Sequence, residues 1–279
     1  MKKILSIIFL LHAAIAVFAA TPSDSTSVMS LLNEAPLSLS TAEYMIYFGK
    51  RLEGTPYVAK TLEVNPRREE LIINLRQLDC TTFTENVLAL SLCAKTNNKT
   101  YADFCRYLRM IRYRQGSISY PDRLHYFSSW IEDNTALGFV EEITAEGKPF
   151  TAIQKFDINF MSTHTSAYPQ LADAMLVKKI AETERKLTGK SVRYIPKTQL
   201  STHTLLKKYI HDGDIIAIVT NKRGLDTSHI GIAHWHADGT LHLLNASQIH
   251  KKVIDEPMTL YNYMQKHPSQ LGIRVVRVR

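Results

Sequence analysis

Apolar residues recur at helical spacing through the first half of the chain and at strand spacing through its last third. Ala42, Met45, Ile46 and Phe48 predict a helix over residues 41–52, which Gly54-Thr55-Pro56 breaks. Phe83, Val87, Leu90 and Ala94 stand at i, i+4, i+7 and i+11 and mark one face of a helix over residues 80–94. Phe104, Leu108 and Ile111 do the same over residues 101–113. Beyond them, residues 214–220, 228–236, 240–247, 250–254 and 272–278 are short, rich in Ile, Val and Leu, and separated by turn residues such as Asp238-Gly239, which predicts four or five antiparallel strands. Helices followed by strands imply an α+β domain with a sheet packed on a helical layer. Residues 115–201 mix an aromatic segment, a polar loop at Glu146-Gly147-Lys148-Pro149 and a charged helix near residues 171–187, and are read as an insertion of unassigned role. No repeat or linker divides residues 41–279, so they are expected to form a single domain.

The N-terminus departs from this pattern. Met1-Lys2-Lys3, an apolar run over residues 4–18 and Val17-Phe18-Ala19-Ala20 have the order of a cleaved secretory signal over residues 1–20. The Ser/Thr-rich stretch over residues 21–40 is expected to be a flexible lead-in. No cysteine stands at the cleavage point, which argues against a lipid anchor, and no membrane span is expected after cleavage. The composition is 45% hydrophobic and 22% charged over 279 residues, which excludes wholesale disorder and a multispan membrane protein. Cleavage after Ala20 would remove Lys2 and Lys3 and take the formal charge from +8 to +6 (8 − 2), spread without a basic block. That favours acidic surroundings and gives no support for nucleic acid as a partner. Three cysteines are too few for a disulfide scaffold.

Candidate chemistry begins at Asp79-Cys80-Thr81-Thr82-Phe83-Thr84-Glu85. Asp79 or Thr82 is able to cap the helix, the latter with Glu85 in a capping-box pattern, so Cys80 lies at a helix start, where free N–H groups and the helix dipole favour a thiolate. A lone cysteine is more often a buried structural residue, but Cys80 follows a polar cap and lies off the Phe83/Val87/Leu90 face. Cys93 and Cys105 sit among apolar residues and read as core thiols, with a disulfide between them left open. A cysteine nucleophile needs a base and an orienting partner. His229 opens a predicted strand, and Gly231 leaves room on the same face for another group. If the following hairpin has the three-residue loop Ala237-Asp238-Gly239, His236 pairs with Thr240, Gly231 with Asn245, and Asn245 shares the face of His229. A two-residue turn would send Asn245 to the opposite face. His234 and His236, with His242 nearby, lack a carboxylate or cysteine at ligand spacing, and they read as exposed strand histidines rather than a metal centre. No metal or cofactor is expected. Asn98-Lys99-Thr100 and Asn245-Ala246-Ser247 match a glycosylation pattern too common to carry weight.

Taken in order, Gly54-Thr55-Pro56-Tyr57, Asp79-Cys80, Gly213-Asp214, Ser228-His229-Ile230-Gly231-Ile232 and Leu244-Asn245-Ala246-Ser247 resemble the NlpC-type papain-like cell-wall hydrolases. Pro56-Tyr57-Val58-Ala59, Asn74-Leu75, Asp79-Cys80-Thr81-Thr82-Phe83, Glu85 and Arg123-Leu124-His125-Tyr126 resemble more narrowly the secreted N-acetylmuramoyl-L-alanine amidase-like branch, once called a domain of unknown function. Thr81-Thr82 in place of Ser-Gly, and the long insertion, depart from the general pattern. The resemblance implies a hydrolase that cleaves peptidoglycan or soluble muropeptides, in the periplasm or outside the cell. Cys80 would be the nucleophile, His229 its ion-pair partner and Asn245 the group that orients the imidazole. It also implies a Tyr57 phenol beside the thiolate. Arg123, Tyr126 and Trp130 would suit a sugar bearing a carboxylate, or else pack around an ordinary helix. Arg123 and Tyr126, with Tyr57, Asp79, Thr81 and Ser228, make up the expected substrate-contacting set. The expected bond is the amide between N-acetylmuramic acid and L-Ala. The alternatives are the bond between D-Glu and the diamino acid of the stem peptide, and a non-catalytic wall-binding protein.

Overall fold

The structure, a computed structural model, describes residues 22–279, and the expected signal lies outside the described residues. Five helices come first: α1 (Pro22–Glu34), α2 (Thr41–Arg51), α3 (Cys80–Lys95), α4 (Tyr101–Arg112) and α5 (Phe127–Ala136). Side chains start three of them. Ser40 Oγ accepts the Glu43 N–H of α2 while the Glu43 carboxylate accepts the Ser40 N–H, Thr100 caps α4, and Asp79 caps α3. The stretch expected as a flexible lead-in is largely α1, with Val28 and Leu32 fully buried in the main core. Val28, Leu31 and Leu32 stand at i, i+3 and i+4, an apolar stripe that the surrounding Ser and Thr residues obscure in a composition reading.

Helix α3 is buried on every side from Thr82 to Ala94 rather than along one stripe. Several of its polar groups bond within the helix or to a neighbour, although Asn86 Oδ1 is buried with no partner among the described residues. Thr84 Oγ1 donates to Cys80 O at 2.9 Å, Asn86 Nδ2 to Thr82 O at 2.7 Å and Ser91 Oγ to Val87 O at 2.7 Å. Glu85 takes the Arg112 Nε–H at 2.6 Å, and Arg112 Nη1 donates to Ile72 O. Such pairing is what allows charge in a core.

The remaining elements are β1 (Val140–Ile143), β2 (Ala152–Lys155), α6 (Phe160–Thr163), α7 (Ala174–Leu187), β3 (Ser191–Pro196), α8 (His203–Leu206), β4 (Ile215–Thr220), β5 (Thr227–Trp235), β6 (Leu241–Ser247), β7 (Lys252–Asp255), α9 (Leu260–Gln265) and β8 (Gln270–Val278). They build one eight-stranded antiparallel sheet in the order β2-β3-β8-β4-β5-β6-β7, in which β1 and β3 share one edge of β8 end to end. Residues 115–201, expected to be an insertion, therefore supply three strands of the sheet as well as helix α7. The buried Phe156, Ile158, Met161, Ile180 and Leu187 form a small core with Tyr120 and Tyr126. One sheet face carries Ile215, Ala217, Ile232 and Leu244 against the helical layer; the other carries Ile216, Ile218, Leu243 and Val275 under α8 and α9. Burial on both faces explains the unbroken Ile215-Ile216-Ala217-Ile218-Val219 run of β4. The fold is α+β. Among the described residues no helix is long and apolar enough to cross a membrane.

Candidate active site

Asp79 ends the segment before α3 in an extended conformation, and its carboxylate accepts both the Thr82 N–H and the Thr82 hydroxyl at 2.8 Å. The Thr82 hydroxyl oxygen in turn accepts the Asp79 N–H at 2.9 Å. Asp79 is thus the cap and Thr82 its partner, which leaves Glu85 to the buried ion pair with Arg112. Cys80 is the first helical residue, and its backbone N–H precedes the first intrahelical bond, Phe83 N–H to Asp79 O. The half-buried thiol lies near the Ile230 N–H of β5 and Thr81, both of which favour its ionised form.

The β5–β6 hairpin has the three-residue loop. The His236 N–H meets Thr240 O at 2.9 Å, the Gly239 N–H meets His236 O, and Gly239 takes φ +82°. The register that follows, Ile232 opposite Leu244 and Ala233 opposite Leu243, places Asn245 beside Gly231. Asn245 Oδ1 lies 2.9 Å from His229 Nε2, and Asn245 Nδ2 donates to Leu243 O at 2.9 Å. Because the amide NH2 is engaged by a carbonyl, the oxygen faces the ring, so Nε2 carries the imidazole proton and Nδ1 keeps the free lone pair. A Cβ on Gly231 would stand 2.9 Å from Asn245 Cβ and 2.8 Å from Leu243 Cγ. Glycine is what lets the amide reach the histidine.

Burial sets the protonation states. It pushes the Cys80 thiol up to about 12, with the Asp79 carboxylate adding to the effect and the nearby Ile230 N–H and Thr81 opposing it. Burial holds the His229 imidazole below its ordinary value, against the contribution of Asn245. Both shifts favour the neutral forms of the thiol and the imidazole over the expected ion pair. Tyr57 is half-buried next to Cys80 and Asp79, and burial and those two groups push its phenol up to about 12, so it is a hydrogen-bond donor.

Cys80, Thr81, Ser228 and His229 line a cleft of about 150 Å3 walled by Leu124, His125, Tyr126, Phe127 and Trp130. Its inner end is tied by Asp226, whose carboxylate accepts the Ser128 N–H of α5 at 2.6 Å and the Thr227 N–H at 2.8 Å. His125 donates from Nε2 to Tyr120 O at 2.7 Å, and burial followed by the Arg123 charge lowers its pKa to about 3, so it stays neutral. Ser228 and His229 also line a second cleft of about 180 Å3 with Lys222, Gln248, Tyr263, His267 and Gln270. The histidine thus stands between an aromatic lobe and a polar one. The polar lobe comes from three separate chain segments, none with a periodic or motif signal, and sequence reasoning missed it.

Two expected substrate contacts are engaged elsewhere. Arg123 is buried, pairs with Glu63 and Glu69, donates to Leu62 O and lies over the Tyr120 ring, which pins the 62–69 segment. It is not part of either cleft lining. Tyr126 does line the aromatic cleft, but its hydroxyl donates to Glu184 at 2.6 Å and accepts the Met161 N–H, so only its ring faces the cleft. Cys93 and Cys105 are free and buried. The histidine cluster also needs correction, since a carboxylate does join it: His234 and His236 each contact Asp255 of β7 at 2.8 Å.

Comparison with known proteins fits this geometry. Residues 47–273 match the family described as AmiA-like, N-acetylmuramoyl-L-alanine amidase-like. The chain belongs to this family. A crystallised N-acetylmuramoyl-L-alanine amidase from Bacteroides uniformis is 39% identical, with a TM-score of 0.79 over 86% of this chain and 99% of that one. A candidate xylanase from Bacteroides fragilis is 43% identical, with a TM-score of 0.76 over 82% and 98% of the two chains. A Legionella pneumophila protein placed under the DUF1460 family model shares the fold at 24% identity, with a TM-score of 0.70 over 92% and 94%. No match was found among curated proteins. The two names among the structural relatives call for different chemistry. Glycoside hydrolysis ordinarily uses two carboxyl groups flanking the bond, whereas among the described residues lining the two clefts Asp226 is the one carboxylate, and it is held by backbone N–H groups. The first cleft is lined instead by the Cys80 thiol and the His229 imidazole.

Proposed function

We propose that this amidase-like protein is a cysteine hydrolase of the papain-like NlpC type that cleaves the amide between the lactyl group of N-acetylmuramic acid and L-Ala. The observation that carries the reading is the His229–Asn245 bond beside Cys80 at the start of α3, with Cys80 and His229 opening on one cleft. As Cys80 Sγ attacks the lactyl carbonyl, His229 Nδ1 takes the thiol proton, which suits a neutral pair better than a standing thiolate. The tetrahedral oxygen is stabilised by the Cys80 N–H, with the Tyr57 phenol as a second donor. The imidazolium then gives its proton to the L-Ala nitrogen, the C–N bond breaks, and the peptide amine leaves. Water, deprotonated by the same imidazole, hydrolyses the thioester and restores the thiol. Asn245 keeps Nε2 protonated throughout and so keeps Nδ1 turned to the reaction. The aromatic walls of the first cleft supply apolar faces for a sugar ring, and the polar lobe suits a peptide. Export to the periplasm or beyond fits this substrate and the N-terminal pattern.

Mass spectrometry of products from a defined muramyl tetrapeptide tests the reading. Expected products are N-acetylmuramic acid and intact tetrapeptide, with activity abolished in Cys80→Ala and unaffected by EDTA. Release of a muramyl dipeptide would assign the stem-peptide bond instead, and wall binding without release of any new amine would make the protein a binder.

A further inference from the structure

At the other end of the same hairpin lies a second cluster that the hydrolysis does not use. Asp255 Oδ2 takes three contacts at once: His234 Nδ1 at 2.8 Å, His236 Nε2 at 2.8 Å and Lys50 Nζ of α2 at 2.7 Å. Its other oxygen, Oδ1, is buried with no hydrogen-bond partner among the described residues. The two oxygens of a carboxylate are equivalent acceptors, and an ordinary network spreads its donors over both. Here His234, His236 and Lys50 all converge on one oxygen, which brings the two imidazole nitrogens and the carboxylate together beside the Lys50 ammonium.

The two imidazole nitrogens and the carboxylate oxygen lie within 4.8 Å of one another. In a tetrahedral zinc site, with metal–ligand bonds of about 2.0–2.2 Å, neighbouring ligand atoms are about 3.3 Å apart, so side-chain shifts of about an ångström would close these three on an ion. The histidine rings are partly preset. His236 lies flat on His242, with centroids 3.6 Å apart and planes 2° from parallel. His242 is itself fixed by Nδ1 to Glu256 O at 2.7 Å and Nε2 to Thr240 Oγ1 at 2.8 Å, which makes it a support and not a ligand. The His236 side chain is 33% exposed, so an ion and its water have access. Lys50 has an alternative partner in Glu53, at 3.3 Å on the same turn.

We propose that His234, His236 and Asp255 bind one divalent ion of the zinc or copper class, and that Lys50 is a built-in competitor which the ion displaces toward Glu53. Two imidazoles and one carboxylate suit such borderline metals better than magnesium or calcium. The ion would join β5 to β7 and leave the catalytic cleft untouched, so the inference stands independently of the scissile bond.

Zinc binding measured by calorimetry, with copper(II) electron paramagnetic resonance for the nitrogen ligands, tests it in a Cys80→Ala background that removes the reactive thiol. Expected is one ion per chain, at least tenfold weaker in Asp255→Asn and in His236→Gln, and about tenfold tighter in Lys50→Gln, all three first shown by melting curves to be folded. The Lys50→Gln arm is decisive, because in a purely structural network the loss of Lys50 has no reason to improve metal binding. Absence of saturable binding, binding indifferent to Asp255→Asn and His236→Gln, or weaker binding in Lys50→Gln would overturn the proposal.

Discussion

Gly231→Ala tests the catalytic geometry without touching a reacting group. The new methyl would meet Asn245 Cβ at 2.9 Å and Leu243 Cγ and Cδ1 at 2.8 and 2.9 Å, about half an ångström inside ordinary contact. Leu243 is fully buried in the core under α9 and has little room to swing away, so much of the shift falls on Asn245. Moving Asn245 back by about half an ångström stretches the 2.9 Å bond to His229 to the edge of hydrogen bonding. Overpacking of this kind costs about 1–3 kcal/mol of stability. The weakened bond, worth about 1 kcal/mol, lowers kcat/KM by about fivefold. Asn245→Ala removes the bond outright, leaves Leu243 O with its Glu256 N–H partner, and is expected to lower kcat/KM by about 10–100-fold. If Gly231 acts only by making room for Asn245, the two losses of activity do not multiply, and the double variant is no slower than Asn245→Ala. The stability losses still accumulate, because Asn245→Ala retains the Cβ that stands in the path of the new methyl. The assay is amine release from a muramyl tetrapeptide, alongside the rate of Cys80 alkylation, which needs no substrate. Multiplying activity losses, or wild-type activity in Gly231→Ala, would refute the reasoning.

Three further outcomes follow from the same structure. Burial lowers the His229 pKa, so the neutral base persists below pH 6.5 and the acid limb of kcat/KM should fall there, moving lower still in Asn245→Ala; iodoacetamide alkylation of Cys80 should climb toward alkaline pH, and a plateau below neutrality would indicate a standing thiolate instead. Glu85→Ala leaves the Arg112 guanidinium buried without its carboxylate and should cost about 3–5 kcal/mol in urea unfolding, a loss under about 1 kcal/mol contradicting the core assignment. Leu32→Ala should cost about 2–5 kcal/mol if α1 is an integral part of the core, and a neutral result would return the segment to a flexible lead-in.

How far the sequence could be read depended on the range of the interaction involved. Strands β4 to β8 were legible because each is a short Ile/Val run closed by its own turn, and the His229–Asn245 pairing because hairpin register follows from loop length alone. Strands β1 to β3 carry no such signal: Val140-Glu141-Glu142-Ile143 is a strand because β8 offers it an edge. The same limit governs the charged residues. Arg123 looked available to a substrate because its carboxylates, Glu63 and Glu69, lie more than fifty residues earlier, and the His234/His236 pair looked incomplete because Asp255 arrives through β7. A buried charge must be paired, but the partner need not be near in sequence. Residue type and local geometry therefore pointed to the candidate nucleophile, base and orienting amide, each positioned by a cap or a turn. Substrate contacts depend instead on which side chains the rest of the fold leaves unpaired, and it is there that Arg123 was misread.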